Sequence, residues 1–277
     1  MIRKCLLPVA GYGTRFLPAT KAIPKEMLPI LTKPLLQYAV EEAVEAGLTD
    51  IGFVTGRGKG AIEDHFDTSY ELEHQIRGTD KAPALSGIRD LIAKSTFSYT
   101  RQREILGLGH AVLAGRPLIG DEPFGVMLPD DLCFGQGAGV MSQMLELFKE
   151  FRCSIIAVEE VPRDATGHCG VITGKPVSDR ALRVTDMIEK PDPADAPTYE
   201  GIVLGIVGRY ILTPDIFDII KSTRPGKNGE VQITDALLEQ AIDGRVIAYR
   251  FDGRRFDCGS VEGFVDATNF CYRENYA

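Results

Sequence analysis

The clearest chemistry in the chain sits near its amino terminus. Residues 5–10 form an apolar run that leads into Gly11-Tyr12-Gly13-Thr14-Arg15, and Lys25 follows between Pro24 and Glu26. Glycines at a strand end let backbone N–H groups approach phosphate oxygens, while Arg15 and Lys25 supply fixed positive charge. The pattern predicts a loop that wraps a nucleoside triphosphate at the carboxyl edge of a parallel strand. It is not a dinucleotide fingerprint, because Phe16 stands where the third glycine belongs. Nor does the chain carry a Walker loop. The nearest stretch, Gly56-Arg57-Gly58-Lys59-Gly60, lacks the hydroxyl residue after the lysine.

Ligands of parallel α/β sheets lie beyond the carboxyl ends of the strands, so polar residues just after apolar runs are the next candidates. Residues 124–128 end in Pro129-Asp130-Asp131. Neighbouring strand residues point to opposite sides, so one of these two carboxylates can aim at a ligand. Asp130 suits Mg²⁺, which takes one or two carboxylates together with phosphate oxygens. Glu189-Lys190-Pro191 offers an acceptor for hydroxyls and a cation for a phosphate. Alternation across the strand end argues against an ordinary salt bridge between the two; a solvated surface pair is the competing reading. Asp257, ahead of Cys258-Gly259-Ser260, reads equally as a second metal ligand or a helix cap. Gln102, followed by Gly107-Leu108-Gly109-His110, carries the donor and acceptor that match a pyrimidine edge. Gly107 would allow close backbone approach to the base, and His110 reads as structural.

These groups need a scaffold, and the rest of the sequence supplies it. Strand-like runs at 5–10, 51–55, 96–101, 124–128 and 153–158 alternate with helical patterns at 35–47, 62–66, 109–118 and 140–151. Residues 72–95 read as a helical excursion with a loop. This rhythm predicts a doubly wound α/β sheet. The second half has strand-like segments at 170–173, 181–189, 202–210 and 246–251, and helices at 213–221, 231–243 and 260–272. Thr213 is the expected N-cap of the first of these helices and Pro214 its first residue. A partly antiparallel extension of the sheet follows. One domain over 1–277 is expected, with 1–160 mainly binding nucleotide. Phe264, Val265 and Phe270 on the last helix suit either an interface or core packing.

Composition narrows the function further. A net charge of −8 disfavours a nucleic-acid surface. No apolar run is long enough to span a membrane and there is no signal-peptide core. Six scattered cysteines without C-x-x-C fit reduced core thiols in the cytoplasm, and four dispersed histidines give no zinc site.

Taken together, the runs 13–29 (GTRFLPATKAIPKEMLP), 107–112 (GLGHAV), 128–131 (LPDD), 189–191 (EKP), 208–210 (GRY), 230–235 (EVQITD) and 257–259 (DCG) resemble the bacterial UDP-glucose pyrophosphorylases, a family of sugar nucleotidyltransferases. The resemblance spans nearly the whole chain. It implies a Rossmann-like nucleotidyltransferase fold and Mg²⁺-assisted conversion of UTP and glucose 1-phosphate to UDP-glucose and pyrophosphate. By the same resemblance Ala10, Gly11, Gln102 and Gly107 hold uridine, with Gly13 and Thr14 in the nucleotide loop and Glu26 near the nucleoside. Arg15 and Lys25 bind the triphosphate, Asp130 and Asp257 the metal. Asp131, Gly170, Glu189 and Ile206 line the sugar, and Lys190 binds its phosphate. The resemblance also implies that 161–277 mainly supplies the sugar side, closing and oligomerisation elements, and that the chain forms a homo-oligomer, dimer or tetramer.

Two departures border the implied sugar pocket. Cys169-Gly170 replaces the family's usual Tyr-Gly, and Ile202-Val203 replaces Ser-Asn. Alternatives are transfer with dTTP or another sugar 1-phosphate, and a silent sugar-nucleotide-binding paralogue. Four intact charges, Arg15, Lys25, Asp130 and Lys190, disfavour the silent paralogue.

Overall fold

The computed structural model describes residues 2–226 and 229–276. In chain order the first half contains β1 (Lys4–Pro8), β2 (Pro29–Ile30), β3 (Lys33–Pro34), α1 (Leu35–Glu45), β4 (Asp50–Thr55), α2 (Gly60–His65), α3 (Tyr70–Ile76), α4 (Ser86–Lys94), β5 (Thr96–Arg101), α5 (Gly107–Ala114) and α6 (Arg116–Ile119). The second half contains β6 (Phe124–Met127), β7 (Asp131–Gly135), α7 (Val140–Phe151), β8 (Ser154–Val161), β9 (Gly170–Ser178), β10 (Ala181–Glu189), β11 (Val203–Leu212), α8 (Ile216–Ser222), α9 (Ile233–Ile242), β12 (Val246–Arg250), β13 (Gly253–Asp257) and α10 (Val261–Tyr276).

Strands buried on both faces read as continuous apolar runs, and β1, β4 and β6 take the central parallel places that such runs require. The main sheet has the order β5-β4-β1-β6-β11-β8-β12-β10-β9. β5, β4, β1 and β6 are parallel, and β11 then runs antiparallel to both β6 and β8. The first half of β11 pairs with β9 as well, so β11, β8, β12, β10 and β9 close into a ring. This is the expected mixed sheet with its antiparallel extension. α1 and α7 cover one face through Leu36, Val40, Met141 and Met144; α5, α8 and α9 cover the other through Val112, Phe217 and Leu237.

A smaller ribbon, β7 with β13, lies outside the main sheet and was not legible in the pattern. It packs with α10 over Ile30, Leu35 and Leu132. Phe264 and Phe270 belong to this packing, whereas Val265 stands half exposed.

Some helix limits differ from expectation. The 109–118 helix breaks at Gly115, where any side chain would strike Leu6. α8 starts at Ile216, and the Thr213 hydroxyl is engaged by Ser154 and Gln240 instead of capping it. α9 starts at Ile233, because Val231 is bonded in extended form to Leu106 and Gly109.

One charged pair lies at the centre of the packing. Arg209, in an irregular stretch of β11, donates from Nε and Nη2 to Glu42 Oε2 at 3.1 and 2.8 Å. Its Nη1 donates to the carbonyls of Leu128 and Gly208, each at 3.1 Å, while Glu42 Oε1 accepts the Met141 N–H. Removing one member of such a pair strands the other charge in the core. Arg209→Met should therefore cost about 3–5 kcal/mol, and adding Glu42→Leu should recover much of it; urea unfolding of both variants measures this.

Candidate active site

The tips of β5, β4, β1 and β6 stand side by side, and four polar segments leave them in that order: Gln102, the 56–60 turn, the 11–15 loop and Asp130. The connections diverge between β1 and β6, so a crevice opens there, the usual ligand position in an open α/β sheet. Gly13 takes a left-handed conformation (φ 66°), and a side chain on it would press on Lys25 at 2.8 Å. Its carbonyl accepts the Thr20 hydroxyl at 2.7 Å and the Phe16 N–H at 3.0 Å. Thr14 and Arg15 are exposed on this loop. Arg15 donates to the carbonyl of Gly259 at 3.3 Å, and Phe16 meets Phe264 edge-on at 5.6 Å. The first loop of the chain thus rests on its last helix.

Ala10 is buried, and Gly11 has open space where a side chain would be. Glu26 is almost fully buried and is held by Lys59, a residue the motif analysis had set aside. Lys59 donates to Glu26 Oε2 and to the Gly11 carbonyl, both at 2.7 Å. The signal was present in part: a lysine just past a strand that neighbours β1 needs a partner if it turns inward.

Gln102 is also buried. Its amide donates to the Gly107 carbonyl at 3.3 Å and meets His110 Nδ1 at 2.9 Å. Gly107 (φ 92°) is required by a neighbouring chain segment: a side chain there would lie 2.8 Å from the Val231 carbonyl. The expected close approach is therefore made by residues 230–231.

The adjacent carboxylates part because Asp130 sits in the turn that follows β6, whereas Asp131 opens β7. Asp130 Oδ2 pairs with Lys25 Nζ at 2.6 Å. Burial alone would raise the Asp130 carboxyl, but the Lys25 ammonium and backbone donors outweigh it and hold it below the usual range. Asp131 turns to Arg255 and accepts the Gly208 N–H at 2.7 Å; Arg255 also donates to Glu159 at 2.8 Å. In the β7–β13 ribbon Asp257 lies opposite Asp131, and Cys258 N–H bonds the Asp130 carbonyl at 2.7 Å. Asp257 Oδ1 accepts the Gly259 N–H at 3.0 Å. A side chain on Gly259 would stand 2.9 Å from Asp257 Oδ1, 3.3 Å from Asp130 Oδ2 and 3.4 Å from Arg15 Nη1. Both carboxylates and the guanidinium border one small space.

Gly170, Glu189 and Ile206 form a second cluster. A side chain on Gly170 would meet Ile206, Thr234 and Glu189 at 2.9–3.2 Å, and the Thr234 hydroxyl donates to Glu189 Oε2 at 2.6 Å. Thr234, in the 230–235 run, adds a member that the sequence did not single out. Lys190 corrects an expectation. Its left-handed backbone (φ 46°) breaks the strand alternation, and Nζ returns to Glu189 Oε1 at 3.1 Å. Cys169 faces Gly205, its sulfur 3.0 Å from where a side chain there would begin.

The thiols nearest these groups are neutral. Burial, reinforced by surrounding carboxylates against the pull of Arg255, pushes Cys169 up to about 11, and burial with the Asp257 charge takes Cys258 to about 12. Neither supplies a thiolate nucleophile near neutral pH. At pH 8, Cys169 should react with a thiol-specific probe more than about 100-fold more slowly than an ordinary exposed cysteine, accelerating as pH approaches 11; alkylation followed by peptide mapping across pH tests this.

The chain is similar to known proteins over nearly its whole length. The sequence pattern of the family described as "Nucleotidyl transferase" matches residues 4–274. A Pseudomonas aeruginosa protein (strain PAO1) named UTP–glucose-1-phosphate uridylyltransferase is 64% identical over 277 residues, covering 100% of this chain and 98% of its own. Among solved structures, an apo UDP-glucose pyrophosphorylase superposes with a TM-score of 0.94 at 56% identity, covering 99% of both chains. A UDP-glucose pyrophosphorylase complexed with UDP-glucose superposes with 0.91 at 53%, covering 99% of this chain and 100% of its own. The chain belongs to the nucleotidyl transferase family and, within it, to the UTP–glucose-1-phosphate uridylyltransferases.

Proposed function

We propose that the chain catalyses the reaction of UTP with glucose 1-phosphate to give UDP-glucose and pyrophosphate. The observation that carries this reading is the crevice between β1 and β6, where Lys25 pairs with Asp130, and Asp130, Asp257 and Arg15 crowd together around Gly259. The relative named for this reaction and the neighbour complexed with UDP-glucose support it.

Ala10, Gly11, Gln102 and Gly107 bound the uridine side, with Glu26 beside the nucleoside. Gly13, Thr14, Arg15 and Lys25 face the triphosphate. Gly170, Glu189 and Ile206, with Thr234, meet the sugar, and Lys190 takes its phosphate. Asp131 supports this side from beneath, since its oxygens are committed to Arg255 and Gly208. Two carboxylates beside one another, Asp130 and Asp257, suit Mg²⁺, which takes one or two protein carboxylates together with substrate phosphates. Bound by Asp130 and Asp257, it would neutralise phosphate charge and orient the leaving pyrophosphate.

A phosphate oxygen of glucose 1-phosphate attacks the α-phosphorus of UTP in line. The new P–O bond forms as the bond from the α-phosphorus to the bridging oxygen breaks, and that electron pair leaves with pyrophosphate. The nucleophile is already anionic, so no protein base is needed; the protein positions the reactants and neutralises charge. Two of the cations await the substrates on carboxylates, Lys25 on Asp130 and Lys190 on Glu189. Substrate phosphates would draw both lysines away, freeing Asp130 for the metal and Glu189 for sugar hydroxyls. The six free cysteines support a reducing, cytoplasmic setting.

Pyrophosphate release with Mg²⁺, UTP and a panel of sugar 1-phosphates, with dTTP in parallel, tests the reading. Release should be fast with UTP and glucose 1-phosphate; none with any pair overturns the assignment. Asp130→Asn should lower turnover by about 10² or more, the scale of groups that stabilise transition-state charge. Near wild-type turnover at saturating Mg²⁺ would remove Asp130 from the metal site.

A further inference from the structure

We propose that Lys59 is a positioning residue for the nucleotide, its buried ammonium setting the direction of the glycine loop by holding the Gly11 carbonyl and the Glu26 carboxylate together. The inference rests on the reading that this loop holds UTP.

Gly11 opens the loop and Glu26 closes it. One ammonium at 2.7 Å from each ties both ends to the turn that follows β4. That turn is fitted to the underside of the loop. A side chain on Gly56 would lie 2.9 Å from the Ala10 carbonyl, and Lys59 stands next along beneath Gly11. In a trans peptide the C=O and the following N–H point in opposite directions. With the Gly11 carbonyl bound by Lys59, the Tyr12 N–H points the opposite way, away from the buried ammonium. That is the direction a donor must take to meet a nucleotide lying over the strand tips. Packing alone gives no reason for a charge here, since a buried lysine must repay its desolvation and an apolar residue of similar volume often serves stability as well. Fixing a carbonyl and a carboxylate at once needs a multivalent donor, and lysine carries three N–H groups. Burial holds the Glu26 carboxyl above its usual range, and Lys59, with Lys25, pulls it back only part of the way.

The test compares proteins that differ only at Lys59: wild type with Lys59→Met, and Glu26→Gln with the double variant Lys59→Met/Glu26→Gln. The second pair leaves no unpaired buried carboxylate, so it stays informative if Lys59→Met folds poorly. Calorimetric titration of UTP with Mg²⁺ should give a Kd about tenfold or more weaker in each Lys59→Met member, the scale of a lost hydrogen bond to a charged group. The KM for glucose 1-phosphate at saturating UTP should stay within about twofold in each pair, since lysine removal touches only the nucleotide side. Equal UTP Kd values within both pairs overturn the inference, as does a parallel rise of both substrates' constants, which marks general loosening. Arg15→Ala serves as the control for the loop. If it leaves UTP binding unchanged, the loop assignment itself fails; if it weakens UTP binding while the Lys59 pairs match, the role of Lys59 alone fails.

Discussion

A single guanidinium joins the packed core of this protein to its reactive edge. Arg209 is 1% exposed, is neutralised by Glu42 on α1, and uses its remaining reach to fix the carbonyls of Leu128 and Gly208. Leu128 immediately precedes Pro129-Asp130-Asp131, so the end of β6 is clamped where it delivers its carboxylates. From there the constraint passes outward: the Gly208 N–H holds Asp131, Asp131 holds Arg255, and the ribbon carrying Arg255 sets Asp257 beside Asp130. A buried pair is weak evidence for stability. Here its bonds converge on backbone at a strand tip, so what it supplies is direction.

Charge around the crevice is arranged as couples of opposite sign: Lys25 with Asp130, Lys59 with Glu26, Lys190 with Glu189. They differ in burial, and with it in what each is free to do. Lys59 and Glu26 are shielded from water and fixed, whereas Lys190 is half exposed and Lys25 lies between. On the proposed function, a polyanionic substrate would exchange partners with the accessible couples while the shielded one keeps its geometry. Preorganisation and mobility are thereby divided among residues of the same chemical type.

The sequence revealed what depends on local order. The apolar runs and their terminal polar residues located β1, β4, β5 and β6 and the groups at their tips, because strand period and strand ends are local facts. The divergence of Asp130 and Asp131 was expected from strand alternation, but a turn at Pro129-Asp130 between β6 and β7 produces it. What escaped depends on distant partners or unusual backbone. The β7–β13 ribbon joins residues more than a hundred positions apart, and neither strand shows its partner in its own pattern. Lys59 becomes informative only once its burial against Gly11 and Glu26 is known. Glu189 and Lys190 were separated by an alternation rule that a left-handed backbone at Lys190 suspends. Gly107 was read as allowing close approach to a base; the chain that crowds it and Gly109 is residues 230–232, a contact no local pattern announces.

The seating of the first loop on the last helix also has a consequence in time. Arg15 and its acceptor at Gly259 are 244 residues apart, and Phe16 meets Phe264 across a similar interval. At translation rates of about 5–20 residues per second, the loop leaves the ribosome on the order of ten seconds to a minute before its support exists. Until then the glycine loop has a strand beneath it but nothing to rest against, and Asp257 has yet to reach Asp130. A nascent chain can assemble its parallel strands early, but the crevice beside Asp130 is complete only once residues 257–264 have been made. Competence for the nucleotide therefore reports that almost the whole described chain has been made.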